Sequence, residues 1–309
     1  MKNIFITTTT FAHFSRTPLK LFKEKGYNVV LNDKGRKLNE DELVEKIPDF
    51  DGILAGTEVY SKRVLNKAVK LRAISRLGVG MDNIDLEFSK KKKIQVFKTQ
   101  TTPAPAVAEL TLGLILDLLR KISFQCSQLK TGTWKKKMGS LLTGKTLGII
   151  GLGIIGKTLV EISQGFGLKY LAYDVQQDGA FAERYNLKYC SLSELLTSSD
   201  VVSIHLNLSK ETKNIIDMKA LGNMKQSAIL INTSRGEIVD ELDLKEALDN
   251  ELIAGAGLDV YQKEPYNGPL LQYNNVIATP HIGAYAKEIR IQMELEAAKN
   301  LIRGLNEAN

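Results

Sequence analysis

Short apolar runs alternate with amphipathic stretches along almost the whole chain, and this alternation restricts the possible folds more than any other feature. Runs at residues 4–7, 27–31, 52–55 and 73–76 read as strands, with helical stretches beginning at Pro18 and lying over 40–46 and 62–68. A second series starts at 146–150 and continues through 170–173, 201–205, 228–232, 256–260 and 276–278. Helical stretches over 157–164, 192–196 and 241–250 fall between those strands. Strands that are apolar throughout and separated by helices belong to parallel sheets covered on both faces. The prediction is two α/β units, each a doubly wound parallel sheet.

The joint between the series is Thr101-Thr102-Pro103-Ala104-Pro105, where each proline disfavours a helical residue before it. A long helix follows over 106–121. After His281-Ile282-Gly283 comes one last amphipathic helix, 287–304, with no strand of its own. It is expected to return to the first unit. The domains are then residues 1–99 plus 284–309, and residues 100–283.

Bulk properties exclude more than they assign. The 309 residues are 43% hydrophobic and 25% charged, a soluble globular composition. No apolar run reaches the ~20 residues needed to cross a bilayer, and the N-terminus has no signal-peptide pattern. A cytoplasmic location with no membrane partner is expected. Cys126 and Cys190 lie far apart without metal-ligand spacing, so they read as reduced thiols, and no metal site is expected. The net charge is +7, but the basic runs at 90–93 and 135–137 are short and lack interleaved aromatics. They read as solvated faces rather than a nucleic-acid surface.

Chemistry first becomes legible at Gly151-Leu152-Gly153-Ile154-Ile155-Gly156, which follows the strand at 146–150 and opens a helix. In such a loop the first glycine permits a tight turn, the second lets the backbone approach a pyrophosphate, and the third lets helix and strand pack closely. The helix N-terminus then presents free N–H groups to the phosphates. The next strand ends in Asp174, about 20 residues beyond the loop, where a carboxylate meets ribose hydroxyls. Val175 follows, with no arginine beside it to pair a 2′-phosphate. These features favour NAD over NADP and a Rossmann-like second unit.

Of three histidines, His13 sits in a polar N-terminal stretch, and His205 ends an apolar strand where a structural or cofactor-lining role fits. His281 lies just past the last strand, and ligands of open α/β sheets bind outside the carboxyl ends of strands. Arg235 follows one strand in Asn232-Thr233-Ser234-Arg235-Gly236, and Asp259 and Glu264 follow the next. Arginine, glutamate and histidine at successive strand ends suit the oxidation of a hydroxy acid. Arginine offers a fork for the carboxylate, histidine takes the hydroxyl proton, and a carboxylate behind the imidazole orients it.

At these residues the chain closely resembles the D-isomer-specific 2-hydroxyacid dehydrogenase family. The matching motifs are Gly151 to Gly156 with Asp174, Asn232 to Gly236, Asp259 to Pro265, and Thr279-Pro280-His281-Ile282-Gly283. Ser75-Arg76-Leu77-Gly78-Val79-Gly80-Met81-Asp82-Asn83-Ile84-Asp85 and Val107-Ala108-Glu109-Leu110-Thr111 look like the phosphoglycerate dehydrogenase branch. The resemblance implies two Rossmann-like or flavodoxin-like domains with a cleft between them, the discontinuous one holding substrate and the other NAD. It implies Arg235 as carboxylate ligand, His281 as acid/base and Glu264 as its partner. It places Gly151, Gly153, Ile154, Ile155, Gly156, Asp174, His205, Thr212, Thr233 and Asp259 around the cofactor. It gives Arg76 and the backbone of Val79 and Gly80, with Arg235 and His281, to the substrate, and it implies a homodimer built through the long helix.

The substrate it suggests first is 3-phosphoglycerate, with glyoxylate, hydroxypyruvate or another 2-keto acid as the alternative. Two departures bear on that choice. Many phosphoglycerate enzymes carry an arginine near the end of the third strand, where this chain reads Leu54-Ala55-Gly56-Thr57-Glu58, and Glu58 beside a phosphate is unfavourable unless it points away. The chain also ends soon after the final helix, so a short form without the C-terminal regulatory domain is expected. Asn207 stands where the family commonly has proline after the His205-like position. A reading of another class is an NAD-sensing binding protein like the related transcriptional corepressors, which also retain such residues. Turnover of 2-keto acids separates the two.

Overall fold

The computed structural model describes residues 1–307. The chain divides into two compact units, one formed by Met1–Pro103 with the chain from Tyr285 onward, the other by Ala104–Ala284.

The smaller unit runs β1 (Asn3–Ile6), α1 (Thr17–Glu24), β2 (Asn28–Leu31), α2 (Glu40–Lys46), β3 (Gly52–Ala55), α3 (Lys62–Lys67), β4 (Ala73–Arg76), α4 (Leu86–Lys91) and β5 (Gln95–Lys98). All five strands are parallel in the order β2-β1-β3-β4-β5. β2 lies on one side of β1 and every later strand on the other. A topological switch point therefore opens at the C-terminal ends of β1 and β3. The helices start where the sequence supplies caps: Asn39 and Glu42 close a capping box on α2, Ser61 caps α3, and Asp85 caps α4. One sheet face packs Phe5, Ile53 and Ile74 against Tyr60, Val64 and Leu65. The apolar-run reading passes over α4 and β5. β5 is an edge strand, only half-buried, so Gln95 and Lys98 dilute its apolar signal.

The larger unit contains α5 (Ala104–Arg120), α6 (Ile122–Lys130), β6 (Thr146–Ile150), α7 (Ile154–Ile162), β7 (Lys169–Tyr173), α8 (Gly179–Arg184), β8 (Leu187–Tyr189), α9 (Leu192–Ser198), β9 (Val201–Ile204), α10 (Met218–Gly222), β10 (Ile229–Asn232), α11 (Glu241–Asp249), β11 (Gly255–Leu258) and β12 (Val276–Ala278). Its seven strands are parallel in the order β12-β11-β10-β9-β6-β7-β8. Counted from β6 this is the doubly wound dinucleotide-binding order with one strand added, and its switch point lies between β6 and β9. β9, β10 and β11 are buried along their whole length, as strands covered on both faces must be. β8 is short and α8 and α10 are brief, so periodicity alone does not mark them. Both fold-class expectations hold: each unit is a doubly wound parallel α/β layer.

The final helix, α12 (Lys287–Glu307), packs in the smaller unit against β3, β4 and β5. Close approach is secured by Gly304, where a Cβ would lie 2.5 Å from the Phe97 ring. Gly52 does the same from β3, facing Leu301 and Leu305.

Candidate active site

The glycine loop gives each of its glycines a separate task. Gly151 has φ +95°, and a Cβ there would sit 2.8 Å from the backbone carbonyl of His205, so only glycine fits. Gly156 packs its Cα on the backbone, with a Cβ position 2.6 Å from the Gly151 oxygen. Gly153 is different. It is the N-cap of α7, it has no side chain to satisfy the first N–H groups, and a Cβ there would meet nothing within 4 Å. α7 begins at Ile154, three residues ahead of the start at Lys157 expected from periodicity, because Ile154 is exposed and Ile155 only half-buried and neither marks the buried stripe. Open space in front of uncapped helix N–H groups fits a pyrophosphate.

Asp174 follows β7. Its Oδ2 accepts the Leu152 N–H at 2.7 Å and its Oδ1 the Gln176 N–H at 2.8 Å, so the carboxylate is held rigidly beside the loop. Across the switch point, His205 Nε2 lies 2.8 Å from Ser203 Oγ, and its buried Nδ1 has no partner among the described residues. Burial lowers the His205 pKa to about 4, so this ring is neutral at physiological pH. Thr212 uses its hydroxyl inside its own loop, donating to the Asn207 carbonyl and accepting from the Ser209 N–H, both at 2.7 Å.

Beyond β10, the buried Asn232 staples the turn that carries Arg235. Its Nδ2 donates to the Arg235 carbonyl at 2.9 Å, and its Oδ1 accepts from Ser234 N–H and hydroxyl. Thr233 and Thr111 hydroxyls are 3.0 Å apart. Thr111 already donates to the Val107 carbonyl, so Thr233 is the donor of that pair. Arg235 is half-buried with one arm on the Ser234 carbonyl at 2.8 Å. The next residue, Gly236, lies so close to the backbone after β11 that a Cβ would fall 1.9 Å from the Tyr261 carbonyl carbon. This contact brings the turn after β10 onto the loop carrying Glu264.

His281 occupies a left-handed backbone conformation, φ +55°, which a non-glycine residue adopts only when its surroundings hold it there. Asp259, fully buried after β11, supplies the hold. Its Oδ1 accepts the Thr279 hydroxyl at 2.6 Å and the Ile282 N–H at 2.8 Å, and its Oδ2 accepts the Gly283 N–H at 2.8 Å. Burial raises the Asp259 pKa against these hydrogen bonds. The imidazole that results meets Glu264 in a bifurcated pair, with Nδ1 2.9 Å from both carboxylate oxygens. A carboxylate only accepts, so Nδ1 carries the proton. Among the described residues Nε2 has no hydrogen-bond partner. An imidazole fixed through one nitrogen and open at the other is built to exchange a proton with a ligand.

The geometry agrees with what the chain is similar to. The family model described as "D-isomer specific 2-hydroxyacid dehydrogenase, NAD binding domain" matches residues 112–283. A glyoxylate reductase of Thermococcus litoralis is 39% identical over 290 residues, covering 90% of this chain and 88% of that protein. The chain belongs to the D-isomer specific 2-hydroxyacid dehydrogenases. A D-3-phosphoglycerate dehydrogenase of Methanocaldococcus jannaschii is also 39% identical, over 86% of this chain but 52% of its own length. Among solved structures, the TT0316 protein from Thermus thermophilus superposes with a TM-score of 0.89 at 32% identity, covering 99% and 97% of the two chains. As a 2-hydroxyacid dehydrogenase the chain binds NAD, and the glycine loop and Asp174 fit that cofactor. No group of metal-binding side chains occurs among the described residues, and no helix of the described residues is long and apolar enough to cross a membrane.

The smaller unit of this dehydrogenase holds the other candidate groups. Among the described residues the N–H groups of Val79 and Gly80 find no acceptor, so they are open donors after β4. Arg76 folds back over Gly78, donating to the Leu77 carbonyl at 2.6 Å. Two residues that sequence reasoning left without a structural task do have one. Asn232 is a motif letter that becomes the brace of the arginine turn, and Asn83 ties the 56–58 loop to the segment after β4. Asparagine at a strand end with a turn after it is the signal available in the sequence.

Proposed function

We propose that this NAD-dependent oxidoreductase reduces a small 2-keto acid such as glyoxylate or hydroxypyruvate to the D-2-hydroxy acid. The observation that carries the mechanism is the His281–Glu264 pair, with Nδ1 2.9 Å from both carboxylate oxygens and Nε2 open. His281 Nε2 delivers the proton to the C2 oxygen as the carbonyl becomes a hydroxyl. Glu264 keeps the ring oriented and balances the imidazolium charge. Arg235 binds the substrate carboxylate. NADH, when bound, supplies the hydride that carbon 2 receives. The extensive match to a glyoxylate reductase supports this substrate class. 3-Phosphoglycerate is the second reading, favoured by the cationic Arg76 next to Gly78.

The test is NADH oxidation with glyoxylate, hydroxypyruvate and phosphohydroxypyruvate. The expected outcome is turnover of the unphosphorylated acids and a kcat loss on the order of 10³-fold in His281→Ala, with NADH binding retained. A variant that turns over at the wild-type rate removes His281 from the mechanism. A wild type inert toward all three acids supports the NAD-sensing binding role instead.

The same proposal takes the active form to be a homodimer joined through α5 and the segment that follows it. It places the protein in the cytoplasm, in keeping with the free thiols Cys126 and Cys190.

A further inference from the structure

Arg235, Glu264 and His281 stand on three different loops of the larger unit, and Tyr261 touches all three loops. It follows β11 and is 7% exposed. Its carbonyl carbon packs on Gly236, the residue after Arg235, so closely that a Cβ on that glycine would lie 1.9 Å away. Its N–H points at Glu264 Oε1, 3.4 Å away. Its ring stacks on Tyr266, with centroids 4.3 Å apart and planes 12° apart, and this stack closes the ends of the loop that carries Glu264. Its hydroxyl reaches the third loop, donating to the Thr279 carbonyl at 3.1 Å and to the Leu258 carbonyl at 3.1 Å.

Packing does not account for the hydroxyl, because a phenylalanine fills the same space and keeps the stack. Nor does the hydroxyl rescue orphaned acceptors. The Leu258 carbonyl already accepts the Thr279 N–H at 2.9 Å, and the Thr279 carbonyl accepts the His281 N–H at 3.0 Å. Burial, and then the Asp259 charge, drive the Tyr261 pKa well up, so the group stays protonated and shares its one proton between the two carbonyls. What this proton adds is a tie from the last residue of β11 to the first residue after β12. The tie lands on the carbonyl that also receives the His281 N–H, where the backbone turns into the left-handed conformation. Asp259 grips the same turn through Thr279, Ile282 and Gly283. Tyr261 supplies a link from that turn to the loop of Glu264.

We propose that Tyr261 is a positioning residue for the acid/base pair, fixing Glu264 on its own loop against His281 on the next through the hydroxyl bond to Thr279. This deepens the reading of His281 as the proton donor and rests on it. His281 Nδ1 sits 2.9 Å from both Glu264 oxygens, and a displacement of about 1 Å ends that contact. Without the carboxylate, nothing holds the ring proton on Nδ1.

Tyr261→Phe removes the hydroxyl and leaves the stack. The chain has three histidines, so imidazole nitrogen NMR resolves His281, with His281→Ala assigning its signals. With the ring neutral, the wild type is expected to carry the His281 proton on Nδ1, and Tyr261→Phe to show both tautomers. Turnover of glyoxylate by the variant should lose at least about tenfold in kcat with KM changed by less than about twofold, while melting and NADH affinity stay near wild type. A folded Tyr261→Phe protein that keeps the Nδ1 tautomer overturns the assignment, and so does a shifted tautomer with wild-type kcat. A variant that fails to fold, or loses NADH affinity along with its melting temperature, makes the hydroxyl structural and overturns it too. A wild type that turns over no 2-keto acid overturns the catalytic reading of His281, and the tautomer still decides whether Tyr261 places the pair.

Discussion

At the scale of single residues, the chemistry proposed for this chain depends on side chains whose orientation is set by their neighbours. Arg235, Glu264 and His281 were legible in the sequence because each follows an apolar strand, the address at which α/β sheets present their ligand-binding groups. What Asp259 does was not legible. Its spacing marks it as a strand-end carboxylate, but only the φ of +55° at His281 reveals why three hydrogen bonds must converge on Asp259. His205 is a similar case and gives a pH-dependent outcome. Its pKa falls from an ordinary 6.5 to about 4 in the folded protein through burial. Between those values the unfolded chain binds more protons than the folded one. The contribution of His205 to stability is therefore complete above pH 6.5 and is lost as the pH falls toward 4. Denaturant unfolding at pH 7 and pH 4 should show the wild type losing ~3 kcal/mol more than His205→Gln over that interval. Equal losses in the two proteins would mean that the ring is solvated in the folded state.

At the scale of elements, periodicity identified the long or fully buried segments and passed over the short ones. β9, β10 and β11 are unbroken apolar runs because helices cover both their faces, and they were readable for that reason. β5 and β8 lie at sheet edges, where half-burial admits Gln95, Lys98 and Lys188. The start of α7 shows a different limit. Its first turn belongs to the cofactor loop, so Ile154 and Ile155 stay out of the buried stripe and the pattern begins late. The loop's glycines should therefore separate in their behaviour. Gly156→Ala forces a Cβ to within 2.6 Å of the Gly151 oxygen and is expected to cost ~3 kcal/mol of stability. Gly153→Ala meets no protein atom within 4 Å, so melting should stay close to wild type. The same methyl group occupies space needed by the pyrophosphate, and NADH affinity should fall at least about tenfold. Thermal melts with and without NADH check both. A Gly153→Ala protein that binds NADH as tightly as the wild type would place the phosphates elsewhere.

At the scale of the whole molecule, the distribution of exposed apolar surface argues for self-association. α6 buries none of its residues, yet it carries Ile122 and Leu129, both exposed. The segment after it adds Trp134, 82% exposed, Met138, 90% exposed, and Leu141. Scattered apolar residues are normal on a protein surface, but five within twenty positions form a strip of the kind that marks an interface. A second copy related by a two-fold axis covers such a strip with itself, which closes the assembly at that surface. Trp134 is the one tryptophan in the chain, so it reports directly on that event. Sedimentation should give a dimer at micromolar concentration. Dilution should shift the Trp134 emission to the red as the indole returns to water, and Met138→Asp should shift the same transition to higher concentration. A monomer at tens of micromolar with concentration-independent Trp134 emission would show that the strip is left bare and that the homodimer proposal is wrong.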